Sequence, residues 1–473
     1  MSANSVRKTK IIATLGPATD SPEMLGRLID AGMNIARLNM SHAPHDWVRR
    51  VVKDIRAAAK ARGVSVGILM DTQGPAIRTG DLPVALDLQP GEIFNFTVRG
   101  EQSEEHRSVD VNYENFINDI SVGDTVLVDN GAIHMKVLAK HNNHVKCEVL
   151  TPGKLGSRRH INLPGVKVSL PAMTSKDLAD IAVGLEMGVD YIALSFVRES
   201  KDIQQLRAVV EKANPRPLIV AKIEDQQAIK NINSIIAEAD AIMVARGDLG
   251  IECPYEELPI IQRKIVKTCL RVGRPVIVAT HMLESMISTP HPTRAEITDV
   301  ANAVYEQADA IMLSGETTVG KYPLKCLEVM DRVASRIERS GGANFQERAE
   351  FTSPRQKLVK SAVVMADELR ADAIVIFTIR GTMARYTSWM RPRHSKIFAV
   401  CESQEMADQM TLLYGVVPVV MPFNHASPEK TISPAIDALK KSGYVAKGNT
   451  VVVVSSISAE ERIVEAIQMR VVE

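Results

Sequence analysis

Lys222 and Glu224 stand two residues apart at the close of an apolar run over residues 218–223. On a strand, residues two apart face the same way, so an amine and a carboxylate would share one face. Buried charges are costly unless they pair or bind something. The next run, 241–245, closes in Arg246-Gly247-Asp248-Leu249-Gly250. Gly247 and Gly250 permit tight turns and close approach by a ligand. A helix starting there would offer free amides to a carboxylate or phosphate. Asp248 beside Glu224 makes a pair of hard oxygen donors suited to Mg2+, and no His or Cys spacing fits zinc. Taken singly, Lys222 with Glu224 reads equally well as a structural ion pair, and segment 246–250 more simply as a capped turn.

Arg37, Asn39 and Ser41 alternate at the end of the run 35–40, and Asp71-Thr72 closes the run 66–70. They offer one guanidinium for phosphate and a group of hard oxygens fit for a monovalent cation. Arg78 suits bidentate phosphate contact; the cluster Arg158-Arg159-His160 does too, or is a solvated charge run. Thr280 and Ser314 end two further runs. Their hydroxyls would hold a carboxylate, relay a proton through water, or simply bond nearby backbone. The joint inventory is a lysine, several arginines, carboxylates and hydroxyls, with no Cys nucleophile and no Ser–His pair. Phosphoryl transfer calls for such a set, because positioning and charge neutralisation do most of its work. Neither a GxxxxGK[ST] loop nor a protein-kinase glycine-rich loop occurs.

These motifs close eight apolar runs, at residues 11–15, 35–40, 66–70, 191–197, 218–223, 241–245, 275–279 and 310–313. Such runs read as buried parallel strands. Eight of them predict an α/β fold, a (β/α)8 TIM barrel with its chemistry at the carboxyl ends of the strands. Residues 1–74 read as three strand–helix units, with a helix starting at Ser21-Pro22. Over 75–170 helical periodicity gives way to short strands, and Asn130-Gly131 signals a hairpin. This predicts an inserted small β-barrel domain, hinged at Gln73-Gly74-Pro75 and between 163 and 171, placed to act as a lid. The barrel resumes over 171–340. Residues 341–473 read as a C-terminal doubly wound α/β domain with strands at 373–378, 397–400, 416–421 and 450–455.

A formal net charge of +1 gives no reason to expect nucleic acid or an anionic membrane as a partner. No apolar stretch approaches the ~20 residues a membrane helix needs. The opening residues, basic and then briefly apolar, read as a first strand rather than a signal peptide. Five cysteines without zinc spacing read as reduced, buried thiols of a cytoplasmic protein.

With these residues in place the chain resembles the pyruvate kinase family over essentially its whole length. The matching stretches include Ala36-Arg37-Leu38-Asn39-Met40-Ser41-His42, Asp71-Thr72-Gln73-Gly74-Pro75, Ile77-Arg78-Thr79, Asn162-Leu163-Pro164-Gly165, Ala221-Lys222-Ile223-Glu224, Ala245-Arg246-Gly247-Asp248-Leu249-Gly250 and Leu313-Ser314-Gly315-Glu316-Thr317. The resemblance implies phosphoryl transfer from phosphoenolpyruvate to ADP, giving pyruvate and ATP. By position, Arg37 and Lys222 would hold the phosphoryl group, and Glu224 and Asp248 the Mg2+. Gly247, Asp248 and Thr280 would hold the substrate carboxylate. Asn39, His42, Arg78 and Arg159 would face the nucleotide, and Asn39, Ser41, Asp71 and Thr72 would bind K+. Thr280 and Ser314 would relay the proton to the enolate. The resemblance also implies a homotetramer and an effector site in the C-terminal domain. The chain departs from the family at Ala76, where K+-dependent members carry Glu, and at Met383, which removes a hydroxyl from segment 378–384, where a phosphorylated effector would sit. Two other readings of the residues are a different Mg2+-dependent barrel enzyme acting on enolpyruvate or oxaloacetate, and a non-catalytic binding relative.

Overall fold

The computed structural model describes residues 7–98, 107–424, 427, 429–459 and 462–473. The eight apolar runs form a parallel barrel: β1 Lys10–Thr14, β2 Ile35–Asn39, β3 Gly67–Asp71, β4 Tyr191–Leu194, β5 Leu218–Ile223, β6 Ala241–Ala245, β7 Val276–Ala279 and β8 Ala310–Leu313. Each pairs with its neighbours in sequence, and β8 closes on β1. Strand β4 stops short of the expected residue 197 because the chain turns at Phe196, whose φ is 52°.

Period-two alternation decides what each strand shows to the barrel axis. Ile12, Ile35, Leu69, Ala193 and Val220 fill the interior. Ile11, Ala36, Ile68, Ile192 and Ile219 face out into the layer under the helices. Two residues beyond each interior side chain the same face carries Thr14, Arg37, Asp71, Ser195 and Lys222, all buried. The apolar core thus ends in a polar layer at the carboxyl ends of the strands.

Of the expected three strand–helix units of residues 1–74, the described residues 7–74 hold two. Their helices are Pro22–Asp30 and His45–Arg62; β3 runs directly into the insert, and its helix, Ser175–Glu186, follows only after it. Ser21 caps the first helix by accepting from the Met24 amide, and Thr174 with Asp177 forms a capping box on the third. Where the chain leaves the barrel, Gly74 has φ 73°, and a Cβ there would sit 2.8 Å from Ser195 Cβ. Only glycine fits such a position.

The insert folds into a six-stranded sheet and a two-stranded one. The expected hairpin joins Thr125–Val128 to Ile133–Lys140, through Asp129, Asn130 and Gly131, all at positive φ. Bridges Arg78–His160 and Thr79–Val111 span the edges of the larger sheet and close it.

The C-terminal sheet has the parallel strands β9 Ala373–Phe377, β10 Lys396–Cys401, β11 Val416–Val420 and β12 Thr450–Ala459, in the order β11-β10-β9-β12. One strand goes beyond the sequence expectation. Arg462–Val471, β13, pairs antiparallel with β12, which runs to Ala459 rather than 455. Its apolar residues are interrupted by Glu465, Gln468 and Arg470, so no continuous apolar run marks it in the sequence.

This domain plugs the amino-terminal end of the barrel. Leu412 joins the interior cluster, and the Tyr191 hydroxyl donates to the Gln409 carbonyl at 2.7 Å. Arg56 donates to Asp408 at 2.7 Å and to Asp190 at 2.8 Å. Burial pushes the Asp190 carboxyl up to about 7; the Arg56 charge opposes this and the Asp408 charge adds to it. No helix among the described residues is long and apolar enough to cross a membrane.

Because Asp190 binds its proton more tightly folded than unfolded, where it titrates near ~3.9, its contribution to stability falls as pH rises from about 4 through about 7. Asp190→Asn removes that contribution. Urea midpoints measured across this range should fall more steeply with pH for the native chain than for the variant.

Candidate active site

The polar layer gathers charge around one carboxylate. Asp71 Oδ2 accepts from Arg37 Nε at 2.7 Å, and Asp71 Oδ1 lies 3.1 Å from Lys222 Nζ. Lys222 Nζ also lies 2.9 Å from Glu224 Oε1 and donates to Ser195 Oγ at 2.7 Å. Arg37 donates a further bond to Thr14 Oγ1 at 2.9 Å. Glu224 Oε2 accepts from the Phe196 amide at 2.6 Å, which fixes the turn after β4.

The titration directions follow from this packing. Burial alone would raise Asp71, but the charges of Lys222 and Arg37 win and hold it below the usual carboxylate range. Burial would lower Lys222, but Asp71 and Glu224 win and raise it. Glu224 is different: burial pushes it up to about 7, Lys222 opposes, and the charge of Asp248 adds to the rise. Lys222 thus favours its cationic form, while burial and the neighbouring Asp248 charge hold Glu224 above the usual carboxylate range.

A cavity of about 340 Å³ opens above this layer, between barrel and insert. Arg37, Asn39, Ser41, Thr72, Lys222, Glu224 and Asp248 face it from the barrel, and Arg78 and Arg159 from the insert. Asp71 lies buried beneath it. His42, Gly247, Thr280 and Ser314 are not among its lining residues. His42 is exposed. Gly247 and Thr280 form a second group beside Asp248: the Gly247 amide donates to Thr280 Oγ1 at 2.7 Å, and that hydroxyl donates to the Ala279 carbonyl at 2.6 Å. Ser314 Oγ is buried without a hydrogen-bond partner.

The segment 246–250 does begin a helix, Arg246–Glu252. Arg246 itself is turned inward. It donates to the Ala279 carbonyl at 3.2 Å, the Thr280 carbonyl at 2.6 Å and Asp299 at 2.6 Å. It thereby clamps the turn on which Thr280 and His281 hold positive φ, 69° and 55°. On the insert, Arg158 is spent on Asp81 through two bonds of 2.8 Å, whereas Arg159 makes only a 3.3 Å contact with Asp129. Both arginines line the cavity; Arg158 is tied there to the exposed Asp81, and Arg159 is the less tethered of the two.

Two family comparisons match this architecture in order. Residues 6–327 match the family described as pyruvate kinase, barrel domain, and residues 356–464 the one described as pyruvate kinase, alpha/beta domain. The chain belongs to the pyruvate kinase family. It is 42% identical to pyruvate kinase isozyme G, chloroplastic, of Nicotiana tabacum, over 96% of this chain and 81% of that one. It is 39% identical to a pyruvate kinase of Staphylococcus epidermidis, over 97% and 79%. The crystal structure of a pyruvate kinase from Cryptosporidium parvum matches with a TM-score of 0.94 at 35% identity, covering 99% of this chain and 96% of that one.

Four features of this site are carried by no sequence motif: Thr14, Ser195 as a partner of Lys222, the inward clamp of Arg246, and Asp71 as the common acceptor of both cations. Counting by two from Ile12 and Ala193 along their strands would have found the first two. Arg246→Ala leaves Asp299 and the Thr280 carbonyl without their Arg246 donor, and the Ala279 carbonyl with the Thr280 hydroxyl in place of two side-chain donors. It should lower unfolding free energy by about 3 kcal/mol and raise KM for phosphoenolpyruvate more than it lowers kcat, as read by urea denaturation and steady-state kinetics.

Proposed function

We propose that Arg37 and Lys222 hold the phosphoryl group that the chain transfers from phosphoenolpyruvate to ADP, giving pyruvate and ATP, the last step of glycolysis. The observation that carries this assignment is the shared carboxylate: Asp71 holds both cations side by side under one cavity. Two fixed positive charges preorganised toward one point stabilise charge that develops there. Lys222 would in addition stabilise the enolate oxygen as the phosphoryl group departs.

Glu224 and Asp248 would hold Mg2+. The donor chemistry fits, since two carboxylates face one cavity and the Asp248 charge helps hold Glu224 up near 7, a repulsion that a divalent cation relieves. Among the described residues no group of three or more His, Cys, Asp or Glu gathers as a metal site, so substrate and water oxygens would complete the shell, as Mg2+ commonly requires. Bound there, the ion supplies positive charge to phosphate and enolate oxygens.

The Gly247 and Asp248 amides and the Thr280 hydroxyl would take the substrate carboxylate in place of their mutual contact. Arg78, Arg159, Asn39 and His42 would face the nucleotide, with the insert as lid. Asn39, Ser41 and Thr72 would offer hard oxygens to K+; Asp71 would join only through lone pairs that Arg37 and Lys222 leave open. Ser314, whose hydroxyl oxygen is buried without a partner, and Thr280 would relay a proton through water to the enolate. The reading extends to a homotetramer and to a phosphorylated effector at segment 378–384, which leads from β9 into helix Thr382–Trp389 with Gly381 at φ 71°. It extends also to a cytoplasmic location, in keeping with five free, buried cysteines.

Lys222→Met should lower kcat by ~10^2-fold or more, by analogy with a lost oxyanion donor, with a smaller change in KM; near-normal turnover would remove Lys222 from this role. A coupled assay omitting one cation at a time tests the ion sites. Without Mg2+ turnover should vanish, and without K+ it should fall; indifference to K+ would withdraw that site.

A further inference from the structure

Beside the active-site cavity lies a second one, of about 270 Å³, at the root of the lid. Pro75 and Ile77 on the outgoing connection and Leu163, Val166 and Val168 on the returning one give it apolar walls. Phe196, His160 and Glu224 line both cavities. The second cavity also contains polar groups that the reaction does not use.

Glu252 is buried, accepts from Asn162 Nδ2 at 3.0 Å, and among the described residues pairs with no cation. Burial pushes its carboxyl up to about 7, the Asn162 bond opposes, and the charges of Asp225 and Asp248 add to the rise. Asn162 is buried too, and its Oδ1 has no donor. Buried acceptors left in this state are unusual in folded proteins. The basic residues on the lining do not answer them. Arg198 is spent on the carbonyls of Val168, Leu170 and Pro171, and Lys167 and Lys230 are exposed.

We propose that this hinge cavity is a binding site for a small molecule with an apolar body and a cationic N–H group, an ammonium or amidinium, whose donors meet Glu252 and whose body lies against Ile77, Leu163 and Val166. Such an occupant wedges against both connections of the lid. It sets how far the lid closes without competing for the phosphoenolpyruvate site. The coupling to turnover rests on the reading of the insert as a lid; the binding itself does not.

Benzamidine, an aromatic ring bearing an amidinium, is the probe. Titration calorimetry on the full chain should show saturable binding, weakened tenfold or more by Glu252→Gln and by Val166→Phe, which narrows the cavity from the lid side. Each variant should keep basal turnover, which reports that it is folded. Benzoate, the same ring with the opposite charge, should bind at least tenfold more weakly. In the coupled assay benzamidine should lower kcat, and added phosphoenolpyruvate should not restore it. No binding, binding unchanged in both variants, equal binding of benzoate, or inhibition relieved by phosphoenolpyruvate overturns the proposal. Calorimetry needs no turnover, so the binding result is independent of the catalytic roles assigned to Lys222 and Arg37.

Discussion

One buried carboxylate, Asp71, accepting from Arg37 and Lys222 together, is the constraint on which the site depends. Taking three charges out of water is unfavourable unless geometry and further hydrogen bonds compensate. Here they do: both oxygens of Asp71 are used, Lys222 adds Glu224 and Ser195, and Arg37 adds Thr14. The cluster exists because five neighbouring strands, β1 to β5, each place a polar residue one period beyond an apolar interior one. Its positive members point into a cavity, and its second carboxylate, Glu224, faces the same cavity as Asp248. A ligand that brings anionic oxygens and a divalent cation together suits both halves.

The rest of the molecule keeps that layer in register. The C-terminal domain closes the far end of the barrel through Leu412 and the Tyr191 hydroxyl, and Arg56 fastens Asp190 to Asp408 across the same boundary. The insert is attached differently. Its connections pass Gly74 on one side and the segment held by Arg198 on the other. On the proposed reading of the insert as a lid, its two narrow connections would suit a reaction that must exclude water and then release product.

The barrel was legible because a buried parallel strand leaves an uninterrupted apolar run. Leu218–Ile223, Ala241–Ala245 and Ala310–Leu313 stand where the runs place them. Lys222 and Glu224 were legible as a pair because spacing along one strand fixes their common face. Asp71 was legible only as a polar strand end. Its partnership with Lys222 crosses from β3 to β5, and no periodicity within one segment reports contacts across a barrel. The Arg246 clamp was hidden for a related reason: the residue sits in a recognisable motif, but its side chain leaves that motif for the turn after β7. Strand β13 was missed because Glu465, Gln468 and Arg470 interrupt its apolar residues, so no continuous run marks it.

Backbone conformation at the carboxyl ends of the strands completes the physical account. Phe196, Thr280 and His281 all adopt positive φ, which is uncommon for any residue but glycine and an outlier for a β-branched one such as Thr280. Such conformations persist only where the surroundings over-determine them. At Phe196 the determinant is Glu224, which holds the amide; at Thr280 it is Arg246, which holds the carbonyl. Glu224 is therefore both the proposed metal ligand and the support of the adjoining turn, and Arg246 joins the start of one loop to the turn of the next. The same buried charges that create the chemistry also impose the backbone that presents it, so the two cannot be optimised separately: relaxing either turn would move the oxygens and amides that face the substrate.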